Sequence, residues 1–173
     1  MESTKSSEVG LGERRVIPED WNELTRSVLG AAIEVHSVLG PGQLESLYEN
    51  AMVAELTLRA VSHQKQVPIR MKYKGVDIGD LRLDLVVENL VIVELKSVEH
   101  VLPVHKAQVT SYLRSTNLPI GLLINFNHAR LKDGVTRLIN PLSTSFQQLP
   151  AFTPPSSART AHSVLTPESE DDE

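Results

Sequence analysis

Two acids and a lysine lie close together in the middle of the chain, in two segments whose apolar pattern predicts neighbouring β-strands. Asp84 belongs to the first segment, 81–87, and Glu94 and Lys96 belong to the second, 90–98. Side chains two residues apart on a strand point to the same face, so Glu94 and Lys96 share a face. An acid and a lysine within an apolar strand are costly to bury unless they are paired or bind a metal.

The register between these two strands decides whether the two carboxylates meet. A two-residue turn at Glu88 and Asn89 pairs residues whose numbers sum to 177 and sets Asp84 beside Val93. A turn longer by one residue gives a sum of 178 and sets Asp84 opposite Glu94. We expect the second register, because it alone places both carboxylates on one face without a bulge. The apolar residues of the first strand are expected to share the other face: Leu81, Leu83, Leu85 and Val87.

Two neighbouring carboxylates predict a particular chemistry. They repel each other and favour a hard divalent cation such as Mg²⁺ or Mn²⁺ between them. Such an ion lowers the pKa of a bound water and neutralises charge on a phosphoryl transition state, while Lys96 can orient the water or add positive charge. The pattern therefore predicts phosphodiester hydrolysis. The alternative is a structural salt bridge, in which Lys96 holds Asp84 or Glu94 without a metal.

The elements that position these residues follow from the apolar periodicity. Two helices come first, at about 20–39 and 44–60. Three strands in a meander, a helix and a fully apolar strand follow, and a short run adds one more strand. Their predicted ranges are 67–73, 81–87 and 90–98 for the meander, 103–115 for the helix, and 119–126 and 135–139 for the last two strands. The fold class is α/β, with an αβββαβ core and a mixed sheet flanked by helices.

Length and composition set the domain organisation. A chain of 173 residues is long enough for one well-buried domain with tails. We place this domain at 19–140. The segments 1–18 and 141–173 are predicted to be disordered tails, the second being rich in Ser, Thr and Pro and ending in acidic residues.

Cysteine content and hydropathy limit the cellular locations that we expect for the protein. There are no cysteines, which excludes a disulfide framework, a thiolate metal site and a cysteine nucleophile. The longest apolar stretch, 118–126, is less than half of the roughly 20 residues that a membrane-spanning helix needs. We therefore expect no membrane association and an intracellular location, cytoplasmic or, in a eukaryote, nuclear.

The charge is not that of a strong DNA-binding protein. The net charge is −5, and residues 1–150 carry 17 acids against 16 bases, a net of −1. This lacks the basic footprint of tight DNA binding, although a metal site itself contributes carboxylates.

The segment Asp84…Glu94-Leu95-Lys96 resembles the D…(D/E)xK signature of the PD-(D/E)xK nuclease superfamily. The common core of that superfamily has the element order predicted above and is called restriction-endonuclease-like. Leu83 stands where the superfamily name has proline. The resemblance implies that Asp84 and Glu94 bind Mg²⁺ or Mn²⁺ and that Lys96 assists the attacking water.

Two further motifs add to this resemblance. Gln108 and Tyr112, in KAQVTSYL, are similar to the QxxxY motif of RecB-like and Cas4-like members. Gly42-Gln-Leu-Glu45-Ser-Leu-Tyr48 resembles the motif of the GxxExxY protein family, and that likeness extends over about 120 residues.

The likeness to these families implies roles for the residues of both motifs. Glu45 becomes a third acid at the metal, and Tyr48, Gln108 and Tyr112 become candidate substrate-binding residues. Two alternatives stay open: Glu45 in a first helical turn also favours the helix dipole, and Gln108 with Tyr112 also fits an exposed polar helix face.

The resulting prediction is a divalent-metal-dependent nuclease that hydrolyses phosphodiester bonds in DNA, with RNA as a further candidate substrate. The oligomeric state stays open, with a homodimer or a complex with a partner protein as candidates, because single-domain members of the superfamily often need a second copy to cut both strands. The alternative is a non-catalytic module that keeps the nuclease fold and binds nucleic acid or another protein.

Overall fold

The computed structural model describes residues 17–140 and Ser143. The tails predicted at 1–18 and 141–173 therefore lie outside the described residues, apart from Ile17, Pro18 and Ser143. Ile17 is partly buried and packs against the core beside the first helix.

Two consecutive helices open the domain. Helix α1 spans Glu19–Leu39 and buries an apolar stripe that includes Val28, Ala31, Ala32 and Val35. It stops at Gly40, whose φ of 66° favours glycine. Helix α2 spans Glu45–Leu58, after a short loop.

A five-stranded mixed sheet forms the centre of the domain. Its strands are β1 His63–Tyr73, β2 Val76–Val87, β3 Val91–Lys96, β4 Ile120–Asn125 and β5 Val135–Ile139. They lie side by side in the order β1-β2-β3-β4-β5. Helix α3, Pro103–Thr116, connects β3 to β4, which are parallel, and all other neighbours are antiparallel. A short 3-10 helix, Leu131–Gly134, precedes the last strand.

Each face of the sheet has its own apolar core. Val91, Val93 and Leu95 of β3 pack with residues of α1 and α2. Ile92 points the other way and packs with Val109 and other residues of α3. The alternation along β3 therefore separates two layers of helices, with the sheet between them.

The predicted α/β class, element order and mixed sheet are confirmed. The first hairpin is longer than predicted, since β1 and β2 continue to a two-residue turn at Lys74 and Gly75. Both turn residues have positive φ, which is typical of tight hairpin turns. Strand β3 ends at Lys96, two residues before the predicted end.

The register predicted between β2 and β3 is also correct. Leu85 pairs with Val93 and Val87 with Val91, so paired numbers sum to 178. The loop has three residues, Glu88 to Leu90, and the Leu90 amide donates to the carbonyl of Val87 at 3.0 Å.

The prediction that Leu81, Leu83, Leu85 and Val87 share one face is wrong. Leu83 packs in the core under α3, whereas Leu85 and Val87 pack in the core under α1 and α2. Strand β2 therefore changes faces at Asp84. The β1–β2 ladder lacks the pair Gln66–Asp84 at this position, and Gln66 has a φ of 53°.

Candidate metal centre

Asp84 and Glu94 lie where β2 and β3 stop pairing. The last pair of this ladder is Leu85–Val93. Beyond this pair, a side chain replaces the backbone as the acceptor: the Leu95 amide donates to Asp84 Oδ2 at 2.8 Å. The side chain of Asp84 is thus tied to β3, next to Glu94.

Glu94 is almost completely buried, with 2% of its surface exposed. Lys96 Nζ donates to Glu94 Oε1 at 2.6 Å, as expected for two side chains on one face of a strand. The other oxygen, Glu94 Oε2, is buried and has no hydrogen-bond partner among the described residues. A buried carboxylate oxygen without a partner is costly, so this position is suited to a cation.

The electrostatics of the pair reflect burial and mutual repulsion. Burial, together with the nearby charge of Asp84, raises the pKa of Glu94 to about 7, although Lys96 opposes the rise. Burial also raises the pKa of Asp84, against the hydrogen bond from Leu95. Burial lowers the pKa of Lys96, but its contacts with the acids outweigh this and the net pKa is raised. A bound divalent ion would relieve the cost that both carboxylates bear.

Glu45 lies at the border of this site, in the first turn of α2. Its Oε1 accepts a hydrogen bond from the Ser97 amide at 3.1 Å, directly after Lys96. The Ser97 hydroxyl donates to the carbonyl of Gln43 at 2.6 Å, so the loop before α2 is fastened to the end of β3. The charge of Glu45 contributes to the raised pKa values of Asp84 and Glu94.

The donor set fits a hard divalent cation. Asp84 and Glu94 supply carboxylate oxygens, which Mg²⁺ and Mn²⁺ prefer, and Glu94 Oε2 is available. Across residues 17–140 and Ser143, no three His, Asp or Glu side chains are grouped closely enough to hold a metal ion. The structure brings Asp84 and Glu94 together. Their role as metal ligands, with Glu45 as a third, stays a prediction.

Gln108 and Tyr112 lie together on α3. Gln108 Nε2 donates to the Tyr112 hydroxyl at 2.5 Å. Burial raises the pKa of Tyr112 against this hydrogen bond, and the charges of Glu94 and Asp84 raise it further. Tyr112 therefore lies within electrostatic range of Asp84 and Glu94, on the α3 side of the sheet.

Tyr48 is not brought to the carboxylates. It has no exposed surface, and its ring stacks on Phe126 at 4.3 Å between centroids. Its hydroxyl donates to the carbonyl of Gly40 at 2.6 Å and accepts from the Gln43 amide at 3.1 Å. These contacts do not support a substrate-binding role; they hold the loop that leads to Glu45.

Sequence reasoning missed Glu49, a buried acid one helical turn after Glu45. Gln66 Nε2 donates to Glu49 Oε1, and Lys65 Nζ lies 3.3 Å from Glu49 Oε2. The charge of Glu49 contributes to the raised pKa of Asp84. The spacing of four from Glu45 was the available signal, since it places both acids on one face of α2.

The family model of the PD-(D/E)XK nuclease superfamily matches residues 22–138. The chain belongs to this superfamily. Membership agrees with the restriction-endonuclease-like α/β fold, and it suggests a metal-dependent nuclease that acts on nucleic acid. Comparison with curated proteins and with solved structures gives no match. None of the described helices combines the length and apolar character needed to cross a membrane.

Proposed function

We propose that this PD-(D/E)XK protein is a Mg²⁺- or Mn²⁺-dependent nuclease that hydrolyses phosphodiester bonds in DNA. The observation that carries the proposal is the meeting of Asp84 and Glu94 where β2 and β3 separate, with Glu94 Oε2 buried and unpartnered among the described residues. Burying two neighbouring carboxylates costs free energy through desolvation and mutual repulsion, and a bound cation would offset this cost.

Asp84 and Glu94 would hold the ion, with Glu45 as a third, more exposed acid. The ion, when bound, supplies Lewis-acid activation of water and neutralises charge on the phosphoryl group. Gln108 and Tyr112 would hold the substrate phosphate near the point where β2 and β3 stop pairing. The buried apolar residues around β3 limit the access of bulk water.

Lys96 is proposed as the residue that assists the attacking water. Its ammonium group lies 2.6 Å from Glu94 Oε1, and its side chain is only 14% exposed. In this position it stays charged at neutral pH and is close to both acids. It can orient the water and stabilise the negative charge that develops on phosphate oxygens.

Gln108 and Tyr112 are proposed to contact the substrate phosphate. Gln108 is partly exposed, and its amide nitrogen already donates to Tyr112, so the pair is held in a defined arrangement. The finer likeness to the GxxExxY family, RNA as a second substrate, action as a homodimer or with a partner protein, and an intracellular site of action belong to the same proposal.

The direct test is cleavage by the purified full-length protein. Single-stranded, duplex and branched DNA and RNA would be incubated with Mg²⁺, Mn²⁺ or EDTA. Cleavage should require metal and should fall at least about a hundredfold in Asp84→Asn and Lys96→Ala. Asp84→Asn preserves side-chain shape, so its effect reports on charge.

Two exposed residues of the first hairpin supply matched controls. Asp80 lies four residues before Asp84 on β2, and Lys72 lies on β1. The control variants are Asp80→Asn and Lys72→Ala. Both should cut as wild type does. Intact substrates with every variant, together with no detectable Mn²⁺ binding, would contradict the proposal and favour the non-catalytic module.

A further inference from the structure

A buried contact joins α2 to β1 beside the metal centre. Glu49 is 8% exposed, and both of its carboxylate oxygens are engaged. Gln66 Nε2 donates to Oε1, and Lys65 Nζ, which also donates to Asn50 Oδ1, lies 3.3 Å from Oε2. With both oxygens occupied, Glu49 is suited to holding β1 rather than to binding a metal.

The residue that Glu49 holds has an uncommon backbone. Gln66 has a φ of 53°, which residues other than glycine seldom adopt, least of all within a strand. Lys65 still pairs with Leu85 and Val67 with Leu83, but the pair between them is missing. The disturbance is therefore confined to Gln66 and its opposite residue, Asp84.

Both strands change faces at this point. On β1, Lys65 contacts α2, whereas Val67 packs in the core under α3. On β2, Leu83 packs under α3, whereas Leu85 packs under α1 and α2. In a regular strand residues two apart share a face, so each strand turns over within two residues.

Asp84 lies at this face reversal, which explains its orientation. Its carboxylate reaches β3 and accepts a hydrogen bond from the Leu95 amide, where the backbone pairing between β2 and β3 has ended. Without the reversal, Leu83 and Leu85 would share one face of the sheet and Asp84 would point to the opposite face.

We propose that Glu49 is a positioning residue for the metal centre: its contact with Gln66 holds the face reversal of β1 and β2, and this aims the Asp84 carboxylate at Leu95 and at the cation. The metal-binding half of this inference rests on the proposed function. The orientation of Asp84 does not, and can be tested without metal.

The metal-free test follows the Leu95 amide by NMR-detected hydrogen exchange in the full-length protein. Glu49→Ala or Gln66→Ala should speed exchange of this amide about tenfold relative to Val93, because its acceptor is no longer held in place. Gln66→Ala breaks the contact from the β1 side, so the test does not depend on the folding of Glu49→Ala.

Two variants separate positioning from a general loss of structure. Glu49→Gln keeps an acceptor for Gln66 and should exchange at Leu95 like wild type. Combining Glu49→Ala with Gln66→Gly should bring the rate back towards wild type, since glycine adopts positive φ without help. Glu55→Ala removes another paired acid of α2 and should have no effect at Leu95.

The metal-dependent test is calorimetric titration with Mn²⁺ in the absence of nucleic acid. Glu49→Ala should bind about tenfold more weakly than wild type, while Glu55→Ala should bind equally well. Unchanged exchange at Leu95 in both Glu49→Ala and Gln66→Ala would overturn the positioning role. Failure of wild type to bind Mn²⁺ would instead contradict the proposed function, and Leu95 exchange would still decide whether Glu49 orients Asp84.

Discussion

The electrostatic cost of Glu94 is the central feature at the scale of single residues. This carboxyl is buried beside a second acid, and one of its oxygens has no partner among the described residues. The hydrogen bond from Lys96 offsets only part of the cost, since the pKa of Glu94 is still about 7. A residue with only a structural role would gain little from this environment.

The raised pKa predicts how stability depends on pH in the metal-free protein. Glu94 titrates near 4.5 when unfolded and near 7 when folded, so the folded state favours the protonated form. The stabilisation from this preference is complete below pH of about 4.5 and is lost as pH rises through about 7, a change of about 3 kcal/mol. Urea unfolding in EDTA should show wild type losing more stability than Glu94→Gln between pH 5 and 8.

The control for this experiment is Glu19→Gln. Glu19 is exposed, and a hydrogen bond from Arg26 lowers its pKa, so it stays ionised throughout this pH range. Glu19→Gln should leave the change in the free energy of unfolding with pH as it is in wild type. A slope in Glu94→Gln as steep as that of wild type would contradict the assignment of the raised pKa to Glu94.

The closeness of Asp84, Glu94 and Lys96 could be predicted from the sequence because its signal is local. Glu94 and Lys96 are two apart on an apolar strand, and one hairpin brings Asp84 to them. The spacing of four from Glu45 is the sequence signal for Glu49, but its contact with Gln66 could not be predicted, because the two residues are 17 apart in sequence. The motif that predicts substrate binding by Tyr48 does not reveal that this side chain is buried.

Close packing of α3 on the sheet is the main feature at the scale of elements. The crossover from β3 to β4 brings α3 over Gly121 of β4. A Cβ at Gly121 would lie 2.5 Å from Val109 Cγ1 and 3.2 Å from Leu113 Cδ1. Val109 is fully buried and β-branched, so it cannot easily move aside.

This packing predicts opposite effects for two glycine-to-alanine changes. Gly121→Ala should lower the free energy of unfolding by about 1–3 kcal/mol through overpacking. Gly30→Ala, inside α1, meets only the mobile end of Arg59 at 3.2 Å and should raise it by about 0.5–1 kcal/mol. Chemical denaturation measures both, and equal stability of the two variants would contradict the described packing of α3.

Element order was predictable because helical and strand periodicities differ clearly in this chain. The faces of β2 were predicted wrongly at Leu83, since strict alternation was assumed through Asp84. The length of the first hairpin was underestimated because Asp77 and Gly79 are typical of turns. In the structure Asp77 pairs with Lys72 instead, after a register shift next to Met71.

At the scale of the whole molecule, charge limits how the protein meets nucleic acid. The net charge is −5, and two of the basic residues on the first hairpin, Arg70 and Lys72, lie near Asp77. This composition lacks the excess of basic residues that is typical of tight phosphate binding. The proposed cation would supply local positive charge where the substrate must bind, and a second copy or a partner protein would add contact area.

Asp84 and Glu94 are proposed to bind one divalent cation together. Crystals of the wild-type protein and of Asp84→Asn, each soaked in Mn²⁺, would be measured for anomalous scattering. We expect a Mn²⁺ peak in contact with carboxylate oxygens of both Asp84 and Glu94 in wild type, and its loss in Asp84→Asn. If no Mn²⁺ peak appears at this position at saturating Mn²⁺, and Lys96 is still bonded to Glu94, the proposed shared binding of a cation by Asp84 and Glu94 is contradicted.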